Sequence, residues 1–234
     1  SPIPIHAEES AISLLRFDQS ARRLLIGTKN GAVTVWDLKK RSRSGPSLRH
    51  AGKIIDSDWD DTVKRVLTVG DRAVRAWDLT TGKPLSQSLG KHLGNNLGVS
   101  RACFLRGSDR MIIGFADRAI VHDLKARRDL IQIKIPANHL IVDRFISSPD
   151  GSRFLITDHM NTLHQYESAT GKLLHTFELP PSRAMTELRY ESETEILATG
   201  SFGLRIWAVK SGKLIKQFSP GKKTVRAYRI SDCS

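Results

Sequence analysis

Apolar and polar residues alternate along most of the chain in short runs, and no useful stretch keeps the 3.6-residue period of a helix. Runs such as LLIG, VTVWDL and VRAWDL are rich in Val, Ile, Leu and aromatics, and Gly, Asp, Asn, Ser and Pro separate them. Short β-branched and aromatic runs bounded by turn residues predict strands joined by tight turns. The pattern predicts an all-β chain.

The runs also repeat. VTVWDL (33–38) is followed by VRAWDL (74–79), AIVHDL (119–124), TLHQYE (162–167) and LRIWAV (204–209). One slot holds Trp36, Trp77, His122, Tyr166 and Trp207, and subtraction gives steps of 41, 45, 44 and 41. About twenty residues before each slot comes a strand that ends in a polar turn, clearest at Ser148-Pro149-Asp150-Gly151, where Pro presets φ and Gly accepts what other residues resist. After the slot comes a second turn, Thr81-Gly82-Lys83, Thr170-Gly171-Lys172 or Ser211-Gly212-Lys213, and then a short apolar strand. Each unit therefore reads as four strands. We place the units at about 7–50, 51–92, 93–139, 140–181 and 182–219, with 220–234 opening a further one, all in a single domain over 1–234.

The WD pairs at 36–37 and 77–78, SPDG at 148–151, the Gly-Lys turns and the period resemble the WD40-repeat β-propeller family. Bacterial versions are most similar at TGKPLSQSLGKH (81–92). The resemblance implies four-stranded antiparallel blades packed around a central channel. It implies a buried polar network of His50, Asp71 and Trp77, with Trp36 in the same slot of the first unit and Asn30 where that unit's Asp belongs. His6, His50, His92 and His139 recur once per unit, which suits blade locking and does not suit metal ligands, since ligands must converge. The set decays in later units, so the first two blades are expected to be the best locked. With five complete units and a partial sixth, an excerpt of a longer propeller, a partner that completes the ring, and a compact irregular ring are all open.

Charge changes the picture. The 234 residues carry 37 Lys and Arg against 24 Asp and Glu, a formal net charge of +13, which favours acidic partners. In the WD40 arrangement one face would carry Arg22, Arg23, Lys39, Lys40, Arg41, Arg43, Lys64, Arg65, Arg127 and Arg128, with Arg106, Arg110, Lys125, Arg153, Lys210 and Lys213 beside them. That face would dock on phosphate or an acidic protein surface, or simply keep the protein solvated. The opposite face, where the family binds peptides, offers Lys29, Asn30, Arg72, Phe115, His159 and Phe202 as partner-binding candidates, with Asp71, Asp117 and Asn161 near them. Phe115 and Phe202 are read either as anchors or as residues buried at blade junctions.

Chemistry finds no foothold. No GxSxG, HExxH, P-loop or GxGxxG motif occurs in a suitable setting, and Asp60-Asp61 is read as a solvent-side turn with no function. We therefore expect no enzyme, no catalytic residue, no metal and no cofactor. Cys103 and Cys233 make no ligand spacing and suit a reducing, cytoplasmic setting. No apolar run approaches the length of a membrane span, and the first residues do not read as a signal peptide. The reading is a non-catalytic interaction scaffold or sensor module of a signalling or multi-subunit assembly. The alternative is a basic subunit docking onto nucleic acid.

Overall fold

The outer strands of the first two sheets are irregular where proline falls. In the computed structural model, which describes residues 10–60, 64–70, 73–86, 89, 98–115, 117–134, 142–158, 162–179 and 185–219, every regular element is a β-strand. The first sheet has β1 (Ile12–Phe17), β2 (Arg23–Thr28) and β3 (Ala32–Asp37) in order. Its outer strand is split into β4 (Ser42–Arg43) and β5 (Leu48–Arg49), both paired to β3, because Gly45 at φ 81° and Pro46 interrupt it. The second sheet has β6 (Ile54–Asp60), β7 (Arg65–Gly70) and β8 (Ala73–Asp78). Beyond β8 the described residues make single bridges, Trp77 to Pro84 and Val74 to Leu89, again at a proline that cannot donate to a ladder.

The remaining sheets are regular and four-stranded. The third contains β9 (Arg101–Leu105), β10 (Arg110–Gly114), β11 (Arg118–Asp123) and β12 (Arg128–Lys134). The fourth contains β13 (Val142–Ser147), β14 (Arg153–Asp158), β15 (Thr162–Glu167) and β16 (Leu173–Glu178). The fifth contains β17 (Met185–Tyr190), β18 (Glu195–Gly200), β19 (Gly203–Ala208) and β20 (Leu214–Phe218). All pairings are antiparallel between neighbours in sequence, which only short turns require. Contacts divide the chain into two compact units, Ser1–Val142 and Asp143–Ser234.

The repeated acid after the aromatic slot has a local task. Asp37 accepts from Lys40 N at 2.9 Å, Asp78 from Thr80 N at 2.7 Å and Thr81 N at 3.0 Å, and Asp123 from Ala126 N at 2.7 Å. These backbone donors hold all three carboxyls below the usual range, because they favour the charged form. The acid thus caps the turn that follows it. Five residues after the slot that turn needs the left-handed region: Gly82, Gly171 and Gly212 sit at φ 71°, 70° and 68°. Arg41 and Arg127 occupy the equivalent positions at φ 52° and 55°.

Neighbouring sheets are bonded at the repeat period. In the first unit Ser13 Oγ donates to Ile54 O at 2.8 Å, 41 residues away, and Arg16 pairs with Asp56 at 2.8 Å, 40 residues away. Phe104 N donates to Asp58 Oδ2 at 2.8 Å across 46 residues. Apolar clusters fill the joints: Leu25, Val35, Leu48, Ile54 and Trp59 between the first and second sheets, and Leu67, Val74, Phe104, Met111 and Ile113 between the second and third. In the second unit Leu155, Leu163, Phe177, Leu188 and Ile196 join the fourth and fifth sheets, and the Phe177 ring meets Trp207 edge-on at 5.6 Å. The period read in the sequence is the distance along the chain between side chains that meet across a joint.

Candidate docking surfaces

A buried polar contact of the aromatic slot lies in the second sheet. Trp77 Nε1 donates to Thr68 Oγ1 at 2.8 Å, with both groups buried. His50 is buried beside them, its Nδ1 2.9 Å from Ala51 O, and Gly70 is glycine because a Cβ there would lie 2.4 Å from the His50 ring. Asp71 lies outside the described residues. In the other sheets the position of Thr68, two residues beyond the partner of the aromatic slot, is Ile26, Ile113, Ile156 or Ala198. None of these can accept a hydrogen bond through its side chain. Trp36 Nε1 accordingly finds no acceptor among the described residues. Of the first two blades, expected to be the best locked, the first has its Trp without an acceptor among the described residues. His122 takes another route, with Nδ1 2.7 Å from Asp129 Oδ1 on the adjacent strand.

Of the hairpin-face candidates, Arg72, His159 and Asn161 lie outside the described residues. Lys29 and Asn30 are exposed, but Asn30 Oδ1 is engaged by Thr28 Oγ1 at 2.6 Å and Ala32 N at 3.2 Å, which closes its own hairpin. Phe115 and Phe202 are core residues, 2% and 8% exposed, packed in the apolar clusters of their own units. The reading of these two rings as open anchors is therefore corrected in favour of burial. Asp117 is held by Arg118 at 3.0 Å.

The basic face needs two further corrections. Arg65 is buried: Nη2 reaches Asp60 at 2.6 Å and Ser108 O at 3.0 Å, Nη1 reaches Asp109 at 2.6 Å, and the guanidinium lies 5.3 Å from the Phe104 ring centre. Asp60, expected in a solvent-side turn, is buried as half of this lock; Asp61 is outside the described residues. Arg23 is likewise occupied, bonded to Asp18 at 2.9 Å and stacked 5.0 Å over Trp59. Both arginines therefore serve the joints between sheets. Arg22, Lys39, Lys40, Arg41, Arg43, Lys64, Arg127 and Arg128 are exposed. Arg43 additionally donates to Ser47 Oγ at 2.9 Å.

Asp58 sits in the joint between the second and third sheets. Burial pushes its carboxyl up to about 6, although the Phe104 N–H and the charges of Arg16 and Arg106 favour ionisation. The neighbouring Cys103 thiol is pushed up by the same burial and by Asp58. Such a thiol is a buried structural group, and no cluster of three or more His, Cys, Asp or Glu among the described residues could hold a metal ion.

An apolar row on β1 was not anticipated. A bulge at the start of β1 puts Ile12 opposite Thr28 and Leu14 opposite Gly27, so that Ile12 joins Leu15 and Phe17 on one face. The same bulge recurs at Ile54/Asp56. There the equivalent positions, Ile54, Ser57 and Trp59, face the first sheet and are buried. On the first sheet they are open: Ile12 is 46%, Leu15 56% and Phe17 57% exposed. The 42-residue offset between the two triplets (54 − 12, 57 − 15, 59 − 17) was the signal available in the sequence.

Antiparallel four-stranded sheets with these joints define a WD40-like β-propeller fold. In solved structures the chain is similar to the β-propeller domain of Myceliophteria thermophila Cps50 (Swd1), with a TM-score of 0.73 and 16% identity over 92% of this chain and 74% of that one. Among curated proteins it is 24% identical over 213 residues to eukaryotic translation initiation factor 3 subunit I of Sclerotinia sclerotiorum, covering 86% of this chain and 62% of the relative. It is 21% identical over 212 residues to the human serine-threonine kinase receptor-associated protein, covering 88% of this chain and 57% of the relative. The chain thus spans about three fifths of the length of these curated relatives. No protein-family model matches it. These relatives are eukaryotic and lend nothing to the bacterial resemblance of residues 81–92. Among the described residues no helix is long and apolar enough to cross a membrane.

Proposed function

We propose that the chain is a non-catalytic scaffold that holds protein partners within a larger assembly. The observation that carries this reading is the open row Ile12, Leu15 and Phe17. A β-sheet face with large apolar side chains in register is built to be covered, and exposed apolar patches mark interaction sites. The equivalent row on the second sheet is covered by a neighbouring sheet, so the partner that fits the first is itself a β-sheet carrying an apolar face. The similar proteins are named as a subunit and as a receptor-associated protein, both of which are roles within assemblies.

Leu15→Ser with Phe17→Ser tests the reading. Both side chains are already exposed, so the variant should melt within a few degrees of the parent. Affinity purification followed by native mass spectrometry should show a stoichiometric protein partner with the parent chain and its loss with the variant. An unchanged set of partners would sink the proposal.

A further inference from the structure

The turn ends of the first three sheets form a second surface, independent of the apolar row. Pairings Arg23 to Asp37, Arg65 to Asp78 and Arg110 to Asp123 place both turns of each sheet at one end. Contacts Ser13 to Ile54 and Trp59 to Arg16 run in one direction along β1 and β6, as do Arg101 to Ile55 and Phe104 to Asp58 along β9 and β6. The three turn ends therefore lie side by side on one face.

What occupies the strained positions of that face is not what the fold prefers. Among the described residues, four other than glycine have positive φ: Ala21, Arg41, Lys64 and Arg127. Three are basic, all three are exposed, and each of the first three sheets holds one. Elsewhere the positions equivalent to Arg41 and Arg127 are glycine, Gly82, Gly171 and Gly212. Glycine holds this conformation without the Cβ clash, so these three side chains cost the turns stability and contribute nothing to the core. Backbone strain retained at exposed charged positions points to a ligand.

The carboxylates of the same face already have partners within the fold. Asp18 accepts from Arg22 N and Arg23 N, Asp37, Asp78 and Asp123 cap their own turns, and Asp60 and Asp109 hold Arg65. Lys39, Lys40, Arg41, Lys64, Lys125 and Arg127 are exposed and enter no ion pair among the described residues. The described turns 18–22, 38–41, 79–83, 106–109 and 124–127 present no exposed large apolar side chain, so the face lacks the apolar centre that a protein interface uses. It also lacks the aromatic platforms on which single strands stack. The three cations lie on three adjacent sheets, and packed sheets lie about 10 Å apart.

We propose that this face docks on the phosphate backbone of a nucleic-acid duplex, through Arg41, Lys64 and Arg127 with Lys39, Lys40 and Lys125 beside them. Contacts to phosphate position the protein and carry no base sequence. Binding is driven by release of counterions from the duplex.

The test uses the whole 234-residue chain and a short labelled DNA duplex, read by fluorescence anisotropy between about 50 and 200 mM salt. Log affinity should fall linearly with log salt, by about 0.9 per phosphate engaged. The triple variant Arg41→Gly, Lys64→Gly, Arg127→Gly should bind about tenfold or more weakly at low salt, with a slope shallower by about 2.7, while melting no lower than the parent. Arg41→Gln, Lys64→Gln, Arg127→Gln should lose the same affinity without relieving the turns. An unchanged slope in both variants overturns the proposal. Equal or tighter binding of poly-L-glutamate assigns the face to an acidic protein instead, and tighter binding of a single strand overturns the duplex. Leu15→Ser with Phe17→Ser leaves duplex binding unchanged, which separates this proposal from the scaffold reading.

Discussion

Removing the Arg65 guanidinium should be the most damaging single change at the joint between the second and third sheets. Its side chain is 11% exposed, and it bonds Asp60, itself 7% exposed, and Asp109, which is 55% exposed. Arg65→Ala breaks the pair with the buried Asp60 carboxylate, a loss of about 3–5 kcal/mol for a broken buried pair. The Asp109 arm is solvated and contributes about 0–1 kcal/mol. For a chain of this size, about 3 kcal/mol lowers Tm by about 6–12 °C. Denaturant unfolding of Arg65→Ala, Asp60→Asn, Asp109→Asn and the two doubles gives the coupling energies directly. The Arg65–Asp60 coupling should exceed the Arg65–Asp109 coupling by at least about 2 kcal/mol, and Arg65→Lys should fail to restore the parent, because one ammonium cannot span both carboxylates. A loss below about 0.5 kcal/mol for Arg65→Ala, or equal couplings on the two arms, would refute the lock.

Thr68→Val leaves the buried Trp77 indole N–H without its acceptor and should cost about 1–3 kcal/mol, read from denaturant midpoints. Gly31→Ala places a Cβ 2.0 Å from His50 O at φ +86° and should cost well over the about 1–2 kcal/mol of Gly107→Ala, where φ is +66° and nothing lies within 4 Å; equal losses would show that the His50 contact is unimportant. The raised Asp58 carboxyl binds its proton more tightly folded than unfolded, so its contribution is most favourable below about pH 4 and is lost as pH rises through about 6. Asp58→Asn should therefore gain stability over the parent between pH 4 and 8, by about 2–3 kcal/mol at the upper end, and a pH-independent difference would refute the burial.

The sequence by itself determined what recurs. Strands and turns were legible because Val, Ile and Leu alternate with polar residues, and because glycine and proline mark where the backbone must reverse. The aromatic slot at 36, 77, 122, 166 and 207 established the four-stranded unit, since the same local problem is solved five times. The acid after that slot is a turn cap, and its role needs only the three residues that follow it.

Tertiary structure decided which charged and apolar side chains are spent on the joints. Arg65 and Arg22 look alike along the chain, yet Arg65 lies in a joint against Asp60 while Arg22 is in solvent. Phe17 and Trp59 fill equivalent positions 42 residues apart, yet a sheet covers only Trp59. Trp36 and Trp77 share a slot, and only Thr68 on the strand beside Trp77 distinguishes them. Local pattern records strand faces and turn conformations, because those depend on residues a few positions away. Burial and pairing depend on partners about forty positions away, which become neighbours only when the sheets stack.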